Sequence, residues 1–215
     1  MVSTPKLKRP YLLLMAAVTW IAVALQTLLV VRVVAGQGRS AWVGVVNTFS
    51  YFTVLTNFVV GVVCGASLVQ RREDSFLTRP STLSAVTVYI FIVGLVYTLL
   101  LRSVWNPTGL QSVADHALHD ATPILFTLFW IFFVPKGTLR SIEPLYWLIY
   151  PLLYVAYSLL RGALTGFYPY HFVDVTLLGY PRALLHTVFL LAGFWFVGMI
   201  VVAIDRRVGH GFRTS

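Results

Sequence analysis

DHALHDATPILFTLFWIFFV, Asp115 to Val134, joins two chemistries that seldom meet in a soluble protein. Asp115, His116, His119 and Asp120 crowd into six positions, and Ile124 to Val134 is almost wholly apolar. In a helix, residues three and four apart share a face. Asp115 then stacks under His119, and His116 under Asp120, as two carboxylate–imidazole pairs on neighbouring faces. Such a cluster at the mouth of a membrane-length segment is expensive to desolvate, and ionisable groups in that position pair with one another or do chemistry. Two readings stand at this point: a polar clasp between helices, or an acid–base site.

The rest of the chain agrees with a lipid setting. Of its 215 residues 58% are hydrophobic and 11% charged, against about 25% charged in soluble domains. Spans of about 20 residues cross a bilayer, which leaves room for six. Apolar runs parted by single prolines and charges read as helices, not as the alternating strands of a barrel. The expectation is an all-α integral membrane protein, a bundle of six transmembrane helices in one domain over 11–204. The spans are expected at Tyr11–Val34, Trp42–Val69, Thr82–Leu101, Ser112–Val134, Glu143–Leu160 and Pro181–Ile204. Residues 1–10 read as a disordered basic lead, Arg161 to Tyr180 as the longest loop, and 205–215 as a basic tail. The first apolar run is too long for a cleaved leader, and five similar runs follow it.

The net charge of +9 does not gather into a nucleic-acid patch; the basic residues fall between apolar runs. Eleven (Lys6, Lys8, Arg9, Arg71, Arg72, Arg79, Lys136, Arg140, Arg206, Arg207 and Arg213) fall on one side of the expected topology. Five (Arg32, Arg39, Arg102, Arg161 and Arg182) fall on the other. That bias puts both termini in the cytoplasm. Cys64 is the only cysteine, so an intramolecular disulfide and a cysteine metal motif are both excluded.

This topology gives the polar residues a depth. The second, fourth and sixth spans begin at the outer face, so Thr53 falls roughly 15 Å in, near the midplane, and His119 roughly 10 Å in. His186 comes a little shallower. Tyr154, Tyr157 and Arg161 end the fifth span at the same level, and Tyr97 and Arg102 end the third. These side chains are expected to line one cup in the outer half of the membrane. Each also has a plainer reading. His116 and His119 can hydrogen-bond across helices for about 0.6–2 kcal/mol per contact. Thr53 can pack or bond its own backbone, and His186 with Arg182 reads equally as an interfacial pair. No metal or haem is expected: the i,i+3 histidines lack the i,i+4 spacing of a zincin helix, and no ligand set is complete.

Two runs, Ser50-Tyr51-Phe52-Thr53-Val54 and Asp115-His116-Ala117-Leu118-His119-Asp120, resemble the active-site segments of the androgen-induced-gene membrane proteins. That family includes the androgen-dependent regulator of tissue factor pathway inhibitor. Its pattern is aromatic-(Leu/Phe)-Thr-aromatic in one helix and Asn-His-x-x-His-Thr in a later one. Thr165-Gly166-Phe167-Tyr168-Pro169-Tyr170-His171-Phe172-Val173-Asp174 is similar to the family's Gly-x-x-(Tyr)-Pro-Phe-(Leu)-Glu loop. Leu178-Gly179-Tyr180-Pro181-Arg182 stands where the family has Gly-Pro-Gly-Ala-Arg. The ordered segments cover about three-quarters of the chain, by the same span boundaries. The whole also looks like a bacterial branch of six-helix membrane proteins, which implies a bacterial inner-membrane location.

The resemblance implies a metal-independent and cofactor-independent threonine hydrolase of fatty-acid esters, with membrane lipid as substrate and no nucleic-acid partner. It implies Thr53 as nucleophile and His119 as base. The chain departs from the pattern at Asp115 (Asn in the family), Asp120 (Thr) and Val54 (a bulky or aromatic residue). A carboxylate beside the base suits a triad, in which it fixes the histidine tautomer; Asp115 is expected in that role, with Asp120 as fallback. Asn57, Tyr157 and Arg161 are candidates for the oxyanion, while His116, Asp120, Arg182 and His186 are candidates for substrate contact. Two other readings compete. One is a proton-coupled carrier, weakened by the lack of an inverted repeat; the other is a structural membrane protein with a polar His/Asp clasp.

Overall fold

A computed structural model describes residues 5–69 and 75–211. Arg71, Arg72 and Arg213 of the orientation count lie outside the described residues, as do Glu73 and Asp74. Among the described residues every regular element is a helix. Five are long and apolar enough to cross a membrane: Lys6–Gly36, Phe52–Val69, Pro80–Leu101, Glu143–Thr165 and Val175–Gly209. The chain is a multi-pass helical membrane protein. It divides into two compact units, Met1–Lys136 and Gly137–Ser215.

The first unit begins with α1, Pro5–Gly36. Its first residue is a proline, whose missing N–H is no loss at a helix start. The basic lead expected to be disordered is therefore helical from residue 5. Where α1 meets α2, Ala41–Thr48, a Cβ added at Gly44 would stand 2.7 Å from the Cα of Val31. Close backbone approach at a small residue is the usual way for helices to pack in lipid.

The second expected span, Trp42–Val69, is not one helix. It breaks after Thr48, and α3 runs Phe52–Val69. Thr48 Oγ1 donates to Gly44 O at 2.8 Å and Ser50 Oγ donates to Val46 O at 2.6 Å. The backbone N–H groups of Ser50 and Tyr51 reach back only three residues, to Asn47 O and Thr48 O. Hydroxyls bonding the preceding turn compete with the helical ladder and bend it. The polar first half that the sequence displays is the cause of the break. Its consequence is that Thr53 stands in the first turn of α3.

Helix α4, Pro80–Val96, continues as a π-helical turn, Tyr97–Leu101, in which Arg102 N–H reaches Tyr97 O at 2.8 Å, five residues back. The expected fourth span is helical from Gly109 to Phe133 in three consecutive pieces. These are α5 (Gly109–His116), a π-helical turn (Ala117–Ala121) and α6 (Thr122–Phe133). Pro123 accounts for the second π turn. It has no N–H for the His119 carbonyl, and its ring clashes with a carbonyl four residues back. The helix widens instead, with Thr122 N–H bonding Ala117 O. Gly94 of α4 accommodates the result: a Cβ there would lie 3.1 Å from both His119 O and Pro123 Cβ.

Polar side chains are inside this unit. Thr19, Thr48, Ser50, Thr56, Asn57, Ser84, Thr87 and Thr122 are all buried, while Leu13, Leu14, Ile21, Leu28 and Val33 of α1 are exposed. Lipid tails are as apolar as leucine, so hydrogen bonding and close packing, not hydrophobic burial, hold such an interior together.

The second unit holds α7 (Glu143–Trp147), α8 (Ile149–Thr165) and α9 (Val175–Gly211). The expected loop 161–180 is much shorter. Helix α8 runs to Thr165 and ends on Gly166 in the left-handed conformation (φ 72°). Asp174 Oδ1 accepts from Thr176 N–H at 2.8 Å and so opens α9; a carboxylate is among the best groups for that position. Gly179 (φ 71°, ψ 157°) kinks α9 ahead of Pro181. The basic tail from 205 is helical to Gly211. Asp205 is buried within it and accepts Leu139 N–H at 3.0 Å.

Candidate functional site

Both carboxylate–imidazole pairs expected from the i,i+4 spacing are formed. His119 Nδ1 lies 3.0 Å from the backbone oxygen of Asp115 and 3.2 Å from its Oδ1. His116 Nδ1 lies 2.7 Å from Asp120 Oδ2. Their surroundings differ. Asp115 is 3% exposed and the His119 side chain 14%, whereas the His116 side chain is 62% exposed. The inner pair is desolvated and the outer pair is wet.

The geometry fixes the state of His119. A backbone carbonyl can only accept, and Asp115 O is one of the two oxygens facing Nδ1. Nδ1 therefore carries a proton, so the neutral ring has its lone pair on Nε2, the tautomer a general base needs. The carboxylate beside the same N–H can stabilise the imidazolium that forms when Nε2 takes a proton. Asp115, not Asp120, has this place. Asp120 is held by His116 and by an ion pair with Arg102.

Two residues on the end of α4 complete the surroundings. The Tyr97 hydroxyl donates to Asp115 Oδ2. Its ring lies flat against His119, with centroids 4.0 Å apart and planes 14° from parallel. The Arg102 guanidinium sits 5.1 Å from the centre of the Tyr97 ring and pairs with Asp120. Sequence reasoning put Tyr97 and Arg102 at the end of the third span, among the residues lining the cup, but gave them no contact with Asp115 or Asp120. The contacts cross 18 residues of chain, a distance that helical spacing does not address. Both rings belong to π-helical turns, which are rare and occur mostly at functional sites.

Thr53 is buried in the first turn of α3. Asn57, one turn on and fully buried, ties that turn to the histidine turn. Its Nδ2 donates to Thr53 O at 2.9 Å and to Leu118 O at 3.2 Å. Val54 and Leu118 share a buried cluster with Ala22 and Val23 of α1. Val54, where the resembling family carries a bulkier residue, is thus a packing residue. Asn57 changes character. Both of its N–H groups are engaged by carbonyls in this structure, and its Oδ1 is a buried acceptor without a partner.

The remaining candidates lie in the second unit. Tyr157 is exposed, and Arg161 stacks its guanidinium 4.3 Å over the Phe167 ring. Arg182 is exposed. His186 Nδ1 donates to Phe172 O at 2.9 Å, securing α9 to the 3-10 turn His171–Val173. That hydrogen bond gives His186 a structural partner in the loop. Among the described residues no group of three His, Cys, Asp or Glu side chains is arranged to hold a metal ion.

Comparison with protein-family models, with curated proteins and with solved structures returned no match.

Proposed function

We propose that this chain is an intramembrane hydrolase of lipid fatty-acid esters, in which Thr53 is the nucleophile, His119 its base and Asp115 the group that orients the base. The observation that carries the reading is the buried Asp115–His119 pair. It puts a proton on Nδ1, so that the neutral ring offers Nε2 as the base, on a turn that shares the Asn57 amide with the turn of Thr53. The resemblance of the segments around Thr53 and His119 to the androgen-induced-gene hydrolases supports the same assignment.

The steps follow from the residues. A threonine hydroxyl is a poor nucleophile until a base takes its proton. Thr53 Oγ1 attacks the ester carbonyl as its proton passes to His119 Nε2, and Asp115 stabilises the imidazolium. Collapse of the tetrahedral intermediate breaks the ester C–O bond, and His119 returns the proton to the departing alcohol. Water, deprotonated by His119, then attacks the acyl-threonine; the fatty acid leaves and Thr53 regains its proton. The oxyanion forms at the N-terminal end of α3, the positive end of the helix dipole, where preorganised charge stabilises a transition state. No step calls on a metal or cofactor.

In this reading the chain spans the membrane six times, the 109–133 run being the sixth member, with both termini in the cytoplasm of a bacterial cell and the cup open to the outer leaflet. Its partner is a membrane lipid ester that enters sideways between helices. A second reading, a proton-coupled carrier, draws on the run of ionisable groups from Tyr97 through Asp115 to His119, with Arg102, Asp120 and His116 beside it. Such intramembrane chains also serve as proton relays.

A fluorophosphonate probe separates the two. The detergent-purified protein is treated with the probe and the adduct located by peptide mass spectrometry. An adduct on Thr53 that is lost in Thr53→Ala and His119→Ala is expected. A folded protein without an adduct would overturn the hydrolase, and transport of protons into liposomes would then be measured.

A further inference from the structure

We infer that Tyr97 is the positioning residue of this site: its hydroxyl holds one oxygen of Asp115 so that the other stays on His119 Nδ1, and its ring backs the imidazole. The inference rests on the hydrolase reading for its catalytic meaning, but the geometry stands apart from it.

Asp115 is 3% exposed, so its carboxylate depends on protein donors in place of water. Two are present: His119 Nδ1–H on Oδ1 and Tyr97 O–H on Oδ2. A carboxylate with one donor removed at such a site rotates toward another partner or gives up its charge, because an unpaired buried charge is costly. Either change withdraws Oδ1 from His119. The stack supplies the second restraint. The imidazole has two torsions, and the Tyr97 ring, 14° from parallel with it, blocks rotation toward α4. Aromatic side chains give such contact at low conformational cost.

The two π-helical turns make the arrangement possible. One carries Tyr97 and the other His119. Each inserts an extra residue into its turn, which re-aims the side chains that follow. The two helices approach closely at Gly94, opposite the His119 carbonyl, to which Pro123 offers no N–H. The two π turns meet at the stacked Tyr97–His119 pair.

Among the described residues, the ionisable groups bonded or stacked at this turn come from its own helix and from the end of α4. On its own helix His119 has Asp115, His116 and Asp120; from the end of α4 come Tyr97 and Arg102. Helix α3 brings Asn57, and α1 brings Ala22 and Val23 against Leu118. Helix α6 brings Thr122 and Pro123. The hydrogen-bonded state of His119 is therefore set by Asp115, and that of Asp115 by Tyr97.

The test is histidine NMR at one fixed pH on full-length protein labelled with [15N]histidine, with His119→Gln to identify the signal. In the unaltered protein one His119 species is expected, protonated at Nδ1, with the Nδ1–H resonance far downfield as for a bond to carboxylate. Tyr97→Phe keeps the ring and removes the donor; the resonance is expected to move upfield and broaden. An unchanged or downfield-shifted resonance would overturn the inference. Should Tyr97→Phe fail to fold, 3,5-difluorotyrosine in place of Tyr97 gives a stronger donor of nearly the same shape. It is expected to keep the carboxylate in place while pulling charge onto Oδ2, so that the resonance moves upfield without broadening; no movement, or broadening of the kind expected for Tyr97→Phe, would overturn the inference. Fluorophosphonate labelling runs beside this and is expected to slow on the order of tenfold to a hundredfold in Tyr97→Phe, as small misplacements of a catalytic group do. Absence of labelling in the unaltered protein would count against the hydrolase alone, since the NMR result needs no substrate.

Discussion

The imidazole of His119 lies 4.0 Å from the ring of Tyr97, face to face, and both side chains reach the same buried carboxylate, that of Asp115. Three residues from two helices thus form one unit. Its members are expected to fail together when any one is altered.

Removing the base is the most direct check. His119→Ala is expected to lower turnover of a lipid ester by roughly 10²–10⁴-fold, the usual contribution of a general base. Thr53→Ala is expected to abolish it, while Thr53→Ser retains part. Hydrolysis of a fluorogenic fatty-acid ester in mixed micelles measures all three. Loss of activity in Thr53→Ser equal to that in Thr53→Ala would argue against a hydroxyl nucleophile.

Asp115→Ala strands the Tyr97 hydroxyl and the His119 Nδ1–H in a buried site. Breaking a buried pair from one side costs about 3–5 kcal/mol, so the thermal midpoint of the detergent-solubilised protein is expected to fall sharply. Asp115→Asn keeps the shape and is expected to cost less stability than activity. If the two variants lose stability alike, the charge, and not the packing, is what matters.

The Arg102–Asp120 ion pair is expected to behave differently. The side chains of Arg102 and Asp120 are 43% and 30% exposed, and ion pairs of that kind contribute less than about 1 kcal/mol. Arg102→Gln is expected to leave the thermal midpoint nearly unchanged, and any effect on activity is expected to shrink as salt is raised. A drop as large as that of Asp115→Ala would show that the two pairs act as one network.

Gly94→Ala tests the close approach of α4 to the histidine turn. A Cβ 3.1 Å from both His119 O and Pro123 Cβ forces a shift whose cost is typically about 1–3 kcal/mol. Activity is expected to fall with stability, because the shift moves His119. Gly65→Ala on α3 is the control. Nothing lies within 4 Å of its added Cβ, and a helical Gly→Ala change there is expected to stabilise by up to about 1 kcal/mol.

In the second unit, Asp205→Ala leaves the Leu139 N–H without its buried acceptor. The expected cost is about 1–3 kcal/mol with no change in the labelling of Thr53. Thermal unfolding and probe labelling on the same sample check both halves of the statement.

Several features were legible in the residues alone, and they are the local ones. Lipid-length apolar runs and a low charge content follow from composition. The Asp115–His119 and His116–Asp120 pairs follow from a four-residue spacing that any helical turn brings onto one face. The polar cluster from Asn47 to Asn57 was visible, but not its effect. The Thr48 and Ser50 hydroxyls bond their own preceding turn, and whether such bonds merely decorate a helix or break it depends on what the next helix offers in exchange. The break after Thr48, which leaves Thr53 at the head of α3, was set that way. So were the partners of Asp115. Tyr97 and Arg102 stand 18 residues from the carboxylates they meet, and no periodicity spans a loop and two helix ends. Those contacts exist because Pro123 widens one helix, Gly94 admits the displaced carbonyl, and Asn57 ties α3 to the same turn. Spacing along one helix is a property of the chain; contact between helices depends on which backbone groups the packing leaves to be satisfied.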